Sequence, residues 1–200
     1  MLAESCWPAR NGSFAAPMTI GAMLRRQAET RADAVALKEL TAGGDIGRVW
    51  TYSRLYEDAG RLARALASRH EKGARIAVWA NNIPEWLLIE FASAMAGLTL
   101  VTVNPGFQTR ELKFVLEQSR SEGLYLVDEF RGNPMAKIAR EVCAEIPAIR
   151  HVIRLTDHAA LFEGADRGRL PEIAPSDVCQ IQYTSGTTGF PKGALLHHWG

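Results

Sequence analysis

The sequence has little cysteine and no cysteine spacing that would form a metal site or a disulfide framework. Its three cysteines, Cys6, Cys143 and Cys179, are far apart and include no C-x-x-C pair. Because the cysteines are odd in number and widely separated, the sequence suggests neither a disulfide framework nor a zinc site. Isolated thiols are typical of a reducing compartment, and we therefore expect a cytoplasmic protein.

The chain also lacks a long apolar run and a strong net charge. No stretch is long and apolar enough to predict a transmembrane helix, and the first residues, MLAESCWPARNGSF, have no apolar core of signal-peptide length. The formal net charge is +1, so no broad positive field would attract nucleic acid. Clustered arginines recur at helical spacing and are interpreted as solvent-exposed helix faces: Arg25 with Arg26, and Arg61 with Arg64 and Arg69.

Hydrophobic periodicity divides the chain into a leader and two structural units. Residues 1–18 are interpreted as an irregular leader, and residues 19–72 as a helix, a hairpin and a second helix. Thr19 is a predicted helix cap. The predicted hairpin has strands at 34–40 and 48–52, joined through Gly43 and Gly44.

Residues 73–200 show a regular alternation of strand and helix patterns. Such alternation predicts an α/β fold with a mostly parallel sheet flanked by helices on both faces. A polar connector is expected at 156–175, and the last strand leads into a glycine-rich loop. The predicted strands are 76–80, 98–103, 124–127, 149–155 and 178–183, with helices beginning near Pro84, Thr109 and Pro134.

The most informative segment is the loop after the last strand, YTSGTTGFPKG at positions 183–193. Its glycines allow positive φ and close approach of the backbone, so that consecutive N–H groups can face one anion. Its hydroxyls and its lysine can contact phosphate oxygens. We therefore predict a polyphosphate site formed by Gly186, Gly189 and Gly193, by Thr184, Ser185, Thr187 and Thr188, and by Lys192.

Two common phosphate-binding motifs do not fit this loop. Gly186 stands six residues before Lys192, as in a Walker A loop, but Pro191 and Gly193 replace the glycine and the Ser/Thr that flank the lysine there. The G-x-G-x-x-G pattern of dinucleotide-binding folds is absent from the sequence. An unrelated P-loop phosphotransferase is therefore a remote alternative.

The loop resembles the phosphate loop of the adenylate-forming (AMP-binding) superfamily, [YFL]-[ST]-[ST]-G-[ST]-T-G-x-P-K-G, at ten positions without a gap. Two earlier segments are similar to the same family, and the overall likeness is to medium- and long-chain fatty-acyl-CoA synthetases. The resemblance implies that the chain is the N-terminal portion of the large domain, with 19–72 and 73–200 as parts of one incomplete domain. The segments are WTYSRLYEDAGRLARAL at 50–66, where Arg54 replaces a frequent Glu, and NNIPEWLLIEFASAMAGLTLVTVNPGFQTRELKFVLEQS at 81–119.

The resemblance also implies a reaction. A carboxylate attacks the α-phosphate of ATP to give an acyl-adenylate and pyrophosphate, and coenzyme A then takes the acyl group. By the same resemblance, Thr184 would also reach Mg²⁺, and no catalytic residue would lie in this chain. The family's adenine-binding segment, ribose-binding Asp and catalytic Lys follow the phosphate loop, so we expect residues 1–200 to be inactive alone and a C-terminal half to pack on them.

One alternative function remains open. The chain could be a truncated, non-catalytic nucleotide-binding or interaction protein.

Two groups of residues are interpreted as having no functional role. His197 and His198 are interpreted as a helix start and not as a metal site. The large apolar residues of segment 81–119 are interpreted as core packing without a site role. The apolar residues concerned are Trp86, Leu87, Ile89, Phe91 and Met95.

Overall fold

A computed structural model describes residues 17–41, 43–184 and 191–199 of the protein. The first unit has the predicted helix, hairpin and helix. Thr19 caps the first helix as expected, because its side chain accepts a hydrogen bond from the Ala22 N–H at 3.1 Å. The elements are α1 (Ile20–Thr30), β1 (Val35–Leu40), β2 (Ile46–Thr51) and α2 (Tyr52–Ala67), with β1 and β2 antiparallel.

The second unit contains a six-stranded sheet. Five strands are parallel, and the sixth, β8, runs antiparallel to its neighbour β7. The strand order is β6-β5-β3-β4-β7-β8. These strands are β3 (Arg75–Trp79), β4 (Thr99–Val103), β5 (Gly123–Leu126), β6 (His151–Arg154), β7 (Val178–Thr184) and β8 (Lys192–His197). The predicted mostly parallel sheet is confirmed.

Helices flank this sheet in two groups. The first two helices contact α3 (Pro84–Met95), and α4 (Thr109–Ser119) contacts α5 (Met135–Ala144). Across the sheet, the chain steps one way from β3 to β4 and the opposite way from β4 to β5. Right-handed crossovers therefore place α3 and α4 on opposite faces of the sheet. None of the helices among the described residues is long and apolar enough to cross a membrane.

The core lies between the sheet and the helices. The central strands are buried on both faces, which explains their continuous apolar runs in the sequence. Trp79 and Tyr125 are the largest fully buried side chains. The Trp79 Nε1–H donates to the Asn104 carbonyl at 2.9 Å, so the strand core is tied to the loop after β4.

Three local predictions need correction. The sequence favours Thr109 as a helix cap, but α4 begins at Thr109 itself. The residue before it, Gln108, is the cap, with its N–H donating to Glu111 Oε2 at 3.2 Å. The predicted connector at 156–175 contains a short helix, α6 (His158–Leu161), capped by Asp157. The predicted helix start at His197 is wrong, because His197 is the last residue of strand β8.

The prediction that Arg69 belongs to a solvent-exposed helix face is also wrong. Its side chain is only 10% exposed. Its guanidinium donates to three backbone carbonyls in and beside α6, more than 90 residues along the chain. Periodicity within one helix carries no information about such a distant partner.

A charged network ties the hairpin to α3. Arg48 on β2 contacts Glu39 on β1 at 2.7 Å and Glu85 in the first turn of α3 at 2.5 Å. His158 Nε2 lies 2.8 Å from the same Glu85 carboxylate. Burial alone would raise the pKa of Glu85, but hydrogen bonds from Arg48 and His158 outweigh burial and lower that pKa below its ordinary value.

We expect Glu85→Ala to lower the free energy of unfolding by about 2 kcal/mol, because it removes one side of a largely buried charged contact. The matched variant Glu85→Gln keeps the shape and should cost less. Because the folded-state pKa of Glu85 is depressed, its contribution is present above pH 4.5, its unfolded value, and is lost as the pH falls through the folded value. Urea unfolding of the wild-type protein and both variants at neutral and acidic pH measures this contribution to the free energy of unfolding. If Glu85→Gln lowered stability by the same amount in acid as at neutral pH, the lowered pKa of Glu85 would be contradicted.

Candidate functional site

The sheet reverses its strand order beside β3. From β3 the chain crosses to β4 on one side, and β5 then lies on the other side. Connections that leave adjacent strands toward opposite faces open a crevice at the carboxyl ends of those strands, and ligands in open α/β sheets bind in such crevices.

A cavity of about 860 Å³ occupies this position. Its walls come from the carboxyl ends of β3, β4 and β7, including Tyr183, and from three further aromatic side chains. Both the volume and the mixed lining are ordinary for a small-molecule site. The strand ends contribute residues 80–82, 102–105 and 182–184, and the further aromatic side chains are Trp86, Phe107 and Phe130.

Hydrogen bonds fix the polar wall where β4 meets β7. The Thr102 hydroxyl donates to Gln182 Oε1 at 3.1 Å, and Gln180 Nε2 donates to the same oxygen at 2.9 Å. Gln182 therefore lies in the cavity wall with its amide oxygen directed by two donors. Its orientation is defined before any ligand arrives.

The loop after β4 is held from the opposite side by Asn133. Asn133 is buried, and its Nδ2 donates to the carbonyls of Pro105 at 2.9 Å and Phe107 at 3.0 Å. Gln108 Nε2 donates to Asn133 Oδ1 at 3.1 Å. The sequence predicts a helix start only near the next residue, Pro134. This role of Asn133 has no local sequence signal, because its partners lie more than 20 residues away.

The predicted phosphate segment joins β7 to β8 at the carboxyl end of β7. Thr184 and Lys192 pair across the two strands, and the Thr184 hydroxyl donates to the Lys192 carbonyl at 3.5 Å. Thr184 and Pro191 both line the cavity. Both ends of the loop are thus at the cavity. The predicted residues Ser185, Gly186, Thr187, Thr188 and Gly189 lie outside the described residues.

Lys192 is the first residue of β8 and is exposed. It makes no ion pair with any residue in 17–41, 43–184 or 191–199. Lys192 follows Pro191, which lines the cavity, and an exposed lysine at this position can reach an anion without first breaking an ion pair.

Gly193 departs from the expectation that this glycine takes up positive φ. It is an ordinary strand residue opposite Tyr183. A Cβ there would lie 2.9 Å from Ile181 Cγ2 and 3.2 Å from Tyr183 Cζ, so glycine is needed for close packing. Burial raises the pKa of the Tyr183 phenol, which stays protonated at the cavity wall.

Trp86 was expected to be a core residue without a site role, and the structure gives it two environments. It packs against the core, but it is only half-buried and lines the cavity. Ile89 is fully buried, as predicted. Asn81 and Asn82 follow the carboxyl end of β3, and Trp86 comes shortly after them. This position in the sequence is the signal that could have indicated the cavity.

The described residues hold no group of three or more His, Cys, Asp and Glu side chains that could bind a metal ion. The oxygen donors beside the loop are the Thr184 hydroxyl and the Lys192 carbonyl, 3.5 Å apart. Oxygen is the ligand type that Mg²⁺ prefers, and Mg²⁺ is commonly held by few protein ligands together with substrate phosphates. This donor set fits a shared Mg²⁺ and does not fit a zinc site.

The element after the loop excludes a Walker A site. In that motif the glycine-rich loop opens a helix whose N-terminus faces the phosphates. Here the residues after the loop form β8, which pairs antiparallel with β7. The remote P-loop phosphotransferase alternative is therefore wrong.

Comparison with known proteins decides the family. A family model described as AMP-binding enzyme matches residues 24–200. The chain belongs to the AMP-binding enzyme family. A putative acyl-CoA synthetase of Bacillus subtilis, YngI, is 30% identical over 90% of this chain and 38% of its own length. The human mitochondrial medium-chain acyl-CoA ligase ACSF2 is 30% identical over 74% of this chain and 29% of its own.

Solved structures agree with this assignment. The inhibitor-bound N-terminal domain of FACL13 from Mycobacterium tuberculosis is similar with a TM-score of 0.74 at 26% identity, over 90% of this chain and 44% of that one. A long-chain-fatty-acid-CoA ligase from Archaeoglobus fulgidus shares the fold with a TM-score of 0.79 at 22% identity, over 92% of this chain and 37% of that one. The chain thus spans less than half the length of these relatives.

The Gly193 packing leads to a prediction for the hairpin. Gly193→Ala should lower the free energy of unfolding by about 1–3 kcal/mol, because the new methyl group meets Ile181 and Tyr183. The control is Ala194→Ser on the next, exposed position of β8, which should change stability little. Urea unfolding compares the two variants. Equal stability of both would show that Gly193 is not a packing requirement.

Proposed function

We propose that this chain is the N-terminal part of an ATP-dependent acyl-CoA synthetase. The complete enzyme converts a fatty carboxylate and ATP to an acyl-adenylate and pyrophosphate, and then transfers the acyl group to coenzyme A. The observation that carries the proposal is the β7–β8 hairpin, which presents a phosphate-type loop beside a ligand-sized cavity at the carboxyl edge of the sheet. Family membership supports the same chemistry.

The loop acts by charge and position. A carboxylate is a poor acylating agent, and attack on the α-phosphate turns it into a mixed anhydride with a good leaving group. Donors aimed at the β- and γ-phosphates stabilise the charge that develops on the departing pyrophosphate. We assign this contact to Thr184, Ser185, Gly186, Thr187, Thr188, Gly189, Lys192 and Gly193.

Mg²⁺ would be held in part by Thr184. When bound, the ion would neutralise phosphate charge, and the Thr184 hydroxyl at the end of β7 would orient the loop toward it. This assignment rests on the oxygen donors at the hairpin base. The other ligands would be phosphate oxygens and groups outside this chain.

We infer that a C-terminal half of the enzyme packs against β8. Natural edge strands are blunted by charge or covered, because an exposed apolar edge leads to aggregation. Adjacent residues of β8, which point to opposite faces, are both apolar and exposed: Leu195 at 55% and Leu196 at 40%, followed by Trp199 at 58%. Such a strand fits the interior of a larger sheet. Residues 19–72 and 73–200 would then be two parts of one domain, since α1 and α2 pack on α3.

We place the protein in the cytoplasm, where its thiols stay reduced. Cys143 and Cys179 are both free, and burial raises the pKa of Cys143 to about 11 and also raises that of Cys179. Protonated, shielded thiols are inert and need no oxidising compartment.

Lys192→Ala in the complete enzyme should slow ATP–pyrophosphate exchange at least about tenfold, since it removes one charge-assisted contact to phosphate. Folding should be unaffected, because Lys192 is exposed. Lys137→Ala, at an exposed position of α5, is the matched control and should leave exchange unchanged. Undiminished exchange in Lys192→Ala would contradict the assignment of the loop.

The substrate class is tested with a panel of carboxylates, coenzyme A and ATP–Mg²⁺. The complete enzyme should form CoA thioesters from fatty acids, whereas residues 1–200 alone should form no adenylate, because the groups that hold adenosine and the carboxylate are missing. Exclusive use of amino or aryl acids would contradict the fatty-acid assignment. Adenylate formation by residues 1–200 alone would contradict the proposal that the rest of the enzyme is needed for adenylation. No adenylate from any carboxylate would favour a non-catalytic nucleotide-binding protein.

A further inference from the structure

Another cavity lies beside β6, the edge strand on the opposite side of the sheet from the β7–β8 hairpin. Its volume is about 540 Å³, within the range of small-molecule sites. It is bordered by the C-terminal end of α2 and the two residues after it, by His151, by Glu163 and by residues 167–169. His151 is the first residue of the parallel strand β6, so this cavity is at the amino-terminal edge. It shares no lining residue with the first cavity.

The lining of this cavity is strongly basic. Three arginines, Arg69, Arg167 and Arg169, line it together with one carboxylate, Glu163. The protein as a whole carries a net charge of only +1. A local excess of guanidinium groups in a concave surface focuses a positive potential and attracts anions.

Arg69 forms a fixed floor for the cavity. Its side chain is 90% buried, and it donates to the carbonyls of Ala160 at 2.6 Å, Glu163 at 2.8 Å and Leu161 at 3.1 Å. These carbonyls carry no net charge, but they take both N–H groups of Nη2 and one of Nη1, so Arg69 contributes positive charge to the cavity and not a bidentate contact. Its ion pair with the Glu163 carboxylate spans 3.9 Å, and that carboxylate is 72% exposed, so the pair neutralises the charge weakly.

The segment that carries the other two arginines is docked tightly on α2. A Cβ at Gly168 would overlap the Arg64 carbonyl oxygen, and a Cβ at Gly164 would overlap the Ser68 hydroxyl. Arg64 Nε also donates to the Ala165 carbonyl at 3.3 Å. The backbone that presents Arg167 is therefore fixed by close packing, although its side chain is exposed and makes only a 3.8 Å contact with the exposed Asp166.

The field reaches His151. Burial, followed by the positive charges of Arg69 and Arg150, lowers the pKa of His151, and Glu122 opposes this effect. The ring of His70 lies against the His151 ring with centroids 5.0 Å apart. The His151 imidazole is thus a reporter inside the cavity that responds to any added charge.

We propose that this cavity binds a phosphate-type anion on a small ligand, with Arg69 as its floor and Arg167 and Arg169 closing over it. The guanidinium groups of Arg167 and Arg169 can match phosphate oxygens bidentately, and these two exposed side chains can move onto a ligand, while Arg69 supplies charge from below. This site is independent of the β7–β8 hairpin and of the proposed reaction. A phosphorylated ligand bound there would contact the C-terminal end of α2 and His151, the first residue of β6.

The test is a titration of the purified protein with inorganic phosphate, with glycerol 3-phosphate in a parallel arm, followed by NMR of the His151 imidazole. His151→Gln assigns the resonance. We expect a saturable shift and a rise in the pKa of His151, since a nearby anion favours the charged imidazolium. Tighter binding of glycerol 3-phosphate would identify an organic phosphate as the ligand, and tighter binding of phosphate would identify the free ion.

The double variant Arg167→Ser/Arg169→Ser should weaken binding at least about tenfold, since each arginine loses a charge-assisted contact. The matched control Arg26→Ser/Arg140→Ser removes two exposed arginines elsewhere and should leave binding unchanged. Sodium chloride at equal ionic strength should not reproduce the shift. An equal shift with chloride, or equal binding by both double variants, would overturn the proposal.

Discussion

The parallel pairing of β3 with β4 is the constraint on which the rest of the structure depends. Parallel neighbours need a crossover, and the right-handed crossover through α3 fixes that helix on one face. When the chain then passes from β4 to β5 on the far side of β3, its crossover must use the other face. The crevice between β3 and β4 follows from this reversal and needs no special residue. Trp79, Asn133 and Gln182 then give the crevice fixed walls.

The β7–β8 hairpin brings the proposed phosphate-binding loop to this crevice. It adds an antiparallel strand beyond the parallel set, and it pairs Thr184, which lines the cavity, with Lys192 on β8. Gly193 allows Tyr183 to pack at the base of the hairpin. Leu195 and Leu196 expose apolar side chains on both faces of β8. This exposure supports the proposal that a further part of the enzyme covers the strand.

Local patterns predicted most elements of this fold, and nonlocal contacts account for the misses. The capped helix after Thr19 and the alternating strands and helices from Arg75 onward follow from periodicity and cap residues. The segment Lys192–His197 is short, apolar and close to glycine, and such runs do not distinguish strand from helix without their partner. The roles of Arg69 and Trp86 depend on groups brought close only by the tertiary fold. The loop after β7 is predicted to bind phosphate from its residue types, and this assignment stays a prediction because residues 185–190 lie outside the described residues.

The central claim is that the carboxyl edge of β3, β4 and β7 receives the nucleotide, and hydrogen–deuterium exchange with and without ATP–Mg²⁺ tests it most directly. ATP should slow amide exchange in the hairpin at residues 182–194 and in the loop after β4 at residues 103–107, because a bound polyphosphate orders both. Exchange in α1 should not change. Protection confined to other regions, or no protection at the hairpin at saturating ATP, would contradict the account.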